Sequence, residues 1–262
     1  MKDDDVLHAD EATTAALAAA GVRCVRDVLA RSECVRDLKD RSNHVLRAGP
    51  AVYHVKLSKR AKVSREAVAI EFLQGIGVPT ASLAFWSALR GVGALCGTVD
   101  LAPARPMDDL LREGALSPAA IDGAFKALAE AAAAMHEARV HHRDLYLNHV
   151  FVDPTGARPG VTIIDVERLQ RHVGVLPRAI VKDLAAVEAS IPEGTVDLTY
   201  RARLVVHYLR ARRFPVRMLL GNLLRRVSKK VEEIRAHVPR TPVGAAARPS
   251  PVHSRGMSRD RG

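Results

Sequence analysis

His142-Arg143-Asp144-Leu145-Tyr146-Leu147-Asn148-His149 runs directly into Val150-Phe151-Val152, and this passage from charged loop to apolar strand carries more information than any other part of the chain. Upstream of it, Ser117-Pro118 reads as an N-cap followed by proline at the first helical position. The helix so opened places Ile121, Phe125, Leu128, Ala132 and Met135 on one face, a core-facing pattern. Downstream, Asp153-Pro154-Thr155-Gly156 is a turn signal between two short apolar strands, Val150–Val152 and Val161–Ile164. The second strand ends in Asp165, 21 residues after Asp144.

Working outward, the first 35 residues read as a polar start and a short Ala-rich helix. Val45-Leu46-Arg47 and Val52-Tyr53-His54-Val55-Lys56-Leu57 are strand-like, the second alternating with period two. Ser64 is an N-cap for a helix to about Gln74, closed by Gly75 and Gly77, with Pro79 beyond. Ala81–Trp86 and Leu95–Val99 are two further strand-like runs, so the order β-β-α-β-β describes a small sheet carrying one helix. Pro103 and Pro106 follow Asp100 and mark a hinge. Helices are expected near 178–190, 196–211 and 215–236, and a disordered tail over 239–262.

With 48% hydrophobic residues in 262, the composition is that of a globular chain with a sizeable core rather than a disordered one. No apolar run reaches the length of a membrane span, and the acidic start MKDDDVLHADEATT has no signal-peptide character. Cys24, Cys34 and Cys96 are odd in number and scattered, which fits reduced thiols better than a disulfide frame or a zinc site. The net charge of +11 is unevenly placed: residues 201–262 hold 16 Lys and Arg against 3 acids, whereas residues 1–200 hold 24 against 26. Such a basic end suits a phosphate-rich surface. Few aromatics interleave it, so no nucleic-acid partner is expected.

Three spaced signals then fall into an order that chemistry explains. Val55-Lys56 lies in a strand, with Glu66 ten residues later in the next helix; Asp144 follows in its loop; Ile163-Ile164-Asp165-Val166-Glu167 ends a strand in a carboxylate. A strand lysine or a turn aspartate is commonplace alone. Together they match the parts that phosphoryl transfer requires. These are a cation for the ATP phosphates, a carboxylate to hold it, an Asp to take the proton of the attacking hydroxyl, and a second Asp for magnesium.

His-Arg-Asp-Leu-Tyr-x-x-His followed by an apolar strand resembles the lipopolysaccharide kinase (Kdo/WaaP) family of the protein-kinase-like superfamily. The resemblance covers roughly residues 39–210 and is strongest in HRDLYLNHVFVD, His142–Asp153. Ile163–Leu169, Val181–Val187 and GVPT, Gly77–Thr80, also resemble that family. The fold it implies is α+β and bilobal: a small antiparallel-sheet N-lobe with one helix, and a mainly helical C-lobe. The expected divisions are an N-terminal extension over 1–35, an N-lobe over 36–100, a C-lobe over 101–238 and a basic tail over 239–262.

The resemblance implies roles residue by residue. Lys56 contacts the α/β-phosphates and Glu66 holds it, with Glu71 as the competing partner five residues along the same helix. Asp144 is the general base or orients the acceptor hydroxyl. Asp165 binds magnesium. His149 stands where protein kinases have Asn, either as a metal ligand or as an orienting group for Asp144 or Asp165. His142 is structural. The turn expected before Lys56, Lys39–His44, lacks glycine, leaving backbone amides and Ser42 to meet phosphate. Asp100, where the character of the chain changes, completes the nucleotide-binding candidates with Lys56, Ser42 and Asp165.

The implied activity is ATP- and Mg2+-dependent phosphorylation of a sugar hydroxyl of the lipopolysaccharide inner core, heptose or Kdo, by a cytoplasmic monomer. The basic C-terminal quarter would bring it to the inner face of an anionic membrane, each cation contributing about 1 kcal/mol. Leu219, Leu220, Leu223 and Leu224 among those cations read as core or as a membrane-facing stripe. Two other readings remain: a protein or small-molecule kinase of the same fold, and a non-catalytic adaptor on anionic membrane.

Overall fold

The computed structural model describes residues 6–59, 61–89, 93–155, 160–174 and 177–237. The tail expected over 239–262 lies outside them. The N-terminal part contains β1 (His8–Ala9), α1 (Glu11–Ala19), α2 (Val25–Arg31), β2 (Glu33–Asp37), β3 (Arg41–Ala48), β4 (Ala51–Lys59), α3 (Arg65–Gly75), β5 (Leu83–Leu89) and β6 (Gly93–Val99). Among the described residues these strands form one six-stranded sheet in the order β1-β5-β6-β4-β3-β2, antiparallel at every pairing.

The period-two alternation of β4 divides its side chains between two faces. Tyr53, Val55 and Leu57 are buried in a cluster with Leu46, Phe85 and Leu95, against Leu17, Val22, Val25 and Val28 of the α1–α2 region. Lys56 points the other way, toward α3. The first 35 residues therefore supply the apolar cover for one face of the sheet, as well as the edge strand β1 and the start of the other edge strand, β2. Ser64 caps α3 as its sequence predicts, its Oγ accepting from Ala67 N at 3.2 Å.

Gly97 is the tightest point of this sheet. It lies opposite Phe85 on β5, and a Cβ there would overlap the Phe85 ring. Phe85 is fully buried and has nowhere to move. Gly97→Ala is expected to cost about 1–3 kcal/mol, read as a lower melting temperature; an unchanged melting temperature would refute the packing argument.

The C-terminal part contains β7 (Arg105–Pro106), α4 (Met107–Arg112), α5 (Pro118–Glu137), β8 (Val140–His141), β9 (Val150–Val152), β10 (Val161–Ile163), β11 (Gln170–Arg171), α6 (Pro177–Ala189), α7 (Leu198–Ala211) and α8 (Val216–His237). Ser117 caps α5, accepting from Ala120 N at 3.2 Å, and the five apolar residues expected to face the core are buried. They join α6, α7 and the β9–β10 strands in one large cluster. Leu220, Leu223 and Leu224 of α8 pack against that cluster, so the core reading holds for them; Leu219 and Met218 are exposed. Among the described residues no helix is long and apolar enough to cross a membrane.

The two parts are stitched beside the hinge. Ile163 N donates to Pro79 O at 3.0 Å, and Thr80 Oγ1 donates to Ile163 O at 2.7 Å. This tie sets the end of β10, and hence Asp165, beneath the sheet.

Candidate active site

A cleft of about 520 Å3 opens between the parts, lined among others by Lys56, Glu66, Thr80, Asp100, His149 and Asp165. Lys56 stands at its centre. Its Nζ donates to Glu66 Oε2 at 2.5 Å and to Asp165 Oδ1 at 2.6 Å, with Glu167 Oε2 at 3.4 Å. Glu66 lies on the buried face of α3 with Ala69, Ile70 and Leu73, whereas Glu71 is exposed on the opposite face. Helical phase therefore selects Glu66 over Glu71.

Three carboxylates around one half-buried ammonium give a definite charge pattern. Burial alone would push the Lys56 ammonium down, but Glu66 and Asp165 more than reverse it and hold it above the ordinary lysine range. Lys56 is therefore charged at every working pH. Burial pushes the Glu66 carboxyl up even with Lys56 beside it, and the negative charges of Asp165 and Glu167 add to the rise. Burial would also raise the Asp165 carboxyl, but Lys56 outweighs that and holds it below the ordinary range. Of the carboxylates sharing Lys56, the more exposed Asp165 ionises ahead of Glu66.

The HRD-type loop sits below. Asp183 of α6, wholly buried, accepts from His142 N at 2.8 Å and Arg143 N at 3.0 Å, and its Oδ2 lies 3.2 Å from His136 Nε2. His136 Nδ1 in turn meets Tyr208 Oη of α7 at 3.0 Å. The loop is thereby bonded to three helices of the core. Arg143 takes a left-handed φ of 78°, a costly conformation for a side chain that the Asp183 bonds hold in place. His142 Nε2 lies 3.1 Å from Ile164 O, so that nitrogen carries the proton; the imidazole is structural, as its sequence position predicts.

His149 lies between the backbone of Asp144 and the side chain of Asp165. His149 Nδ1 lies 2.9 Å from Asp144 O, an acceptor, so Nδ1 carries a proton and the lone pair of the neutral imidazole sits on Nε2. That lone pair is aimed at Asp165 Oδ2, 3.6 Å away. A lone pair opposite a carboxylate suits a cation between them. The side chain of Asp144 accepts from Arg168 NH1 at 2.7 Å.

Two nucleotide candidates stand apart from this centre. Asp100 lies at the hinge end of the cleft, its carboxylate bonded to His54 Nε2 at 2.6 Å and to Ala102 N at 3.3 Å. Ser42 is not among the cleft-lining residues. It lies on β3, buried, with its Oγ 2.8 Å from His44 Nε2. The predicted turn Lys39–His44 is shorter than expected, because β3 already begins at Arg41. Cross-strand pairing puts Asn43, not Ser42, opposite Lys56, and Asn43 Oδ1 is buried with no hydrogen-bond partner among the described residues.

Sequence reasoning missed four contributors: Glu167, Arg41, Arg168 and Asp183. Arg41 NH1 reaches Glu167 Oε1 at 2.6 Å across 126 residues, and no local pattern signals such a pair. Asp183 did have a signal, an acid inside the apolar run Ile180–Val187.

Cys96, on β6 opposite Lys56, also lines the cleft. All three cysteines are free, and burial pushes the Cys96 thiol up to about 12. Iodoacetamide at pH 8 is expected to label exposed Cys34 and spare Cys96; equal labelling of both would refute this burial.

A lysine braced by a helix carboxylate, above a loop aspartate and a strand-end aspartate, is the layout of a protein-kinase-like phosphotransferase. The model of the lipopolysaccharide kinase (Kdo/WaaP) family matches residues 25–208, and the chain belongs to that family. Among solved structures it is similar to WaaP in complex with acyl carrier protein, with a TM-score of 0.71 and 24% identity over 87% of this chain and 98% of that one. That likeness shows the fold. No curated protein is matched.

Proposed function

We propose that the chain transfers the γ-phosphoryl group of ATP to a sugar hydroxyl of the lipopolysaccharide inner core, heptose or Kdo. The observation that supports this most is Lys56 Nζ held between Glu66 and Asp165 at 2.5 and 2.6 Å in the cleft. Lys56 binds the α/β-phosphates and Glu66 keeps it aimed. Asp144 accepts the acceptor's hydroxyl proton as the new O–P bond forms and the bond to the ADP leaving oxygen breaks. Asp165 would hold Mg2+, with the His149 Nε2 lone pair opposite; Glu66 and Glu167 complete a carboxylate cluster whose ligand atoms lie within 4.8 Å of one another. Oxygen donors of this kind suit magnesium. The ion would neutralise charge on the phosphate oxygens. Asn43 Oδ1, buried in the same cleft, offers a free acceptor to a nucleotide donor. Positioning and electrostatics supply most of the rate.

Membrane approach is part of the same reading. Arg217, Arg225, Arg226 and Lys229 lie exposed along α8 and would face an anionic inner leaflet. The test is transfer of labelled γ-phosphate from Mg·ATP to dephosphorylated inner-core lipopolysaccharide. Label on the glycolipid is the expected result. Nucleotide binding without transfer would refute the acceptor and direct the search to protein or small-molecule substrates. Absence of nucleotide binding would refute the kinase reading itself.

A further inference from the structure

A second cavity, of about 740 Å3, lies between the tip of the β2–β3 hairpin, the β4–α3 connection and the turn Val166–Arg168. It shares a single described lining residue, Arg41, with the nucleotide cleft. Its volume is in the range of small-molecule sites. Five of its described lining side chains are cationic and two are acidic.

The partners of those cations matter more than their number. Arg41 is bound by Glu167, and Lys59 by Asp37 at 2.5 Å and Leu38 O at 2.9 Å. Lys39 in the hairpin tip and Arg65 at the start of α3 have no carboxylate partner among the described residues. Two cations without ion pairs thus face one concave space, offset there only by Asp40, whose carboxylate has no ion pair among the described residues. The amino end of the capped helix α3 adds its own positive potential there.

Arg168 connects this space to the chemistry. It lines the cavity while its NH1 bonds Asp144 Oδ2 at 2.7 Å. A ligand in the cavity therefore lies one side chain, Arg168, away from the Asp144 carboxylate, with the Arg41–Glu167 pair on the side of the nucleotide cleft.

We propose that this cavity is an acceptor subsite for an anionic group, phosphate or carboxylate, carried by the sugar, with Lys39 and Arg65 as its recognition residues. The proposal rests on the sugar-kinase reading. A neutral sugar offers only hydroxyls, and the two cations would gain nothing from it. An anionic sugar exchanges water for charge-assisted hydrogen bonds and is oriented with one hydroxyl toward Asp144.

The test uses the full chain, saturated with a non-hydrolysable ATP analogue and Mg2+. Deacylated inner-core oligosaccharide with its phosphates and carboxylates intact is titrated by calorimetry. The double variant Lys39→Gln/Arg65→Gln is expected to bind it about 10-fold more weakly or worse, with unchanged affinity for the ATP analogue. The same oligosaccharide, dephosphorylated and carboxyl-reduced, is expected to bind wild type as weakly as the intact one binds the variant. Dephosphorylation alone and carboxyl reduction alone distinguish which anion is read. Both residues are exposed, and an unchanged melting temperature checks the variant's folding.

Equal affinity of wild type and variant would overturn the proposal. So would no binding by wild type, or a parallel loss of analogue affinity, which would assign the cavity to nucleotide. Phosphoryl transfer assayed on the dephosphorylated oligosaccharide, its carboxylates intact, separates the two readings. Binding without transfer refutes the sugar kinase and leaves the anion site. Transfer with unchanged affinity in the variant refutes the site alone.

Discussion

Asp144→Asn is expected to lower phosphoryl transfer by a factor of about 10²–10⁴, the usual contribution of a positioned general base. The substitution keeps the side chain's shape, and the amide oxygen still accepts from Arg168 NH1, now 2.7 Å from Asp144 Oδ2. The backbone carbonyl of Asp144 still accepts from His149, so the tautomer that aims Nε2 at Asp165 is kept. What disappears is the acceptor for the hydroxyl proton. Melting temperature and nucleotide affinity should therefore stay near wild type while single-turnover transfer falls. A variant that retains transfer within about threefold would show that Asp144 only orients the acceptor and that proton removal is not costly in this site.

Asp183→Ala is expected to remove activity by another route, through the scaffold. The carboxylate is wholly buried and accepts from His142 N, Arg143 N and His136. Its loss strands two backbone donors and a buried imidazole at once. The expected cost is about 3–5 kcal/mol, a large share of the stability of an ordinary domain. At roughly 2–4 °C per kcal/mol, the melting temperature should fall by about 10 °C. The left-handed Arg143 would relax and carry Asp144 away from Arg168 and His149. Asp183→Asn keeps one accepting oxygen and should recover part of the stability but little of the rate. If Asp183→Ala melts with wild type, the network is not what holds the loop.

The same residue predicts a pH dependence. Burial alone would push the Asp183 carboxyl up, but the bonds from His136 and His142 N outweigh it and hold it below the ordinary range. A depressed carboxylate contributes stability above its unfolded pKa, near 4, and loses it as pH falls through the folded value. His142 acts earlier. Burial holds its imidazole below the ordinary range, so the unfolded chain takes up that proton first. Stability should thus begin to fall below about pH 6.5 and fall further below about pH 4. A melting temperature constant from pH 7 to pH 5 would contradict the burial of His142.

Local pattern decided a good deal without any structure. The alternation in Val52–Leu57, the caps at Ser64 and Ser117, and the apolar spacing through Met135 each depend on neighbours a few residues apart, and all became the elements they suggested. The order of Lys56, Glu66, Asp144 and Asp165 was legible for the same reason. Lys56 and Glu66 lie within elements, and Asp144 and Asp165 just after elements, whose signals are local. Glu66, preferred over Glu71 from the sequence, shares the 3–4 spacing of Ala69, Ile70 and Leu73.

Other features had no local trace. The N-terminal stretch reads as an extension, yet it covers the sheet and adds to its edges, because the apolar face left by Tyr53, Val55 and Leu57 must be buried against something. Ser42 was a phosphate candidate until the strand began one residue before it and turned it to the side of Leu46 and Ala48. The Arg41–Glu167 and Arg168–Asp144 pairs, and the convergence of Lys39 and Arg65 on one cavity, join elements far apart in the chain. By itself the sequence determined which chemical groups this protein carries and on which elements. The tertiary structure alone decided which charges meet, because an ion pair depends on distance in space and side chains so far apart along the chain leave no periodic mark.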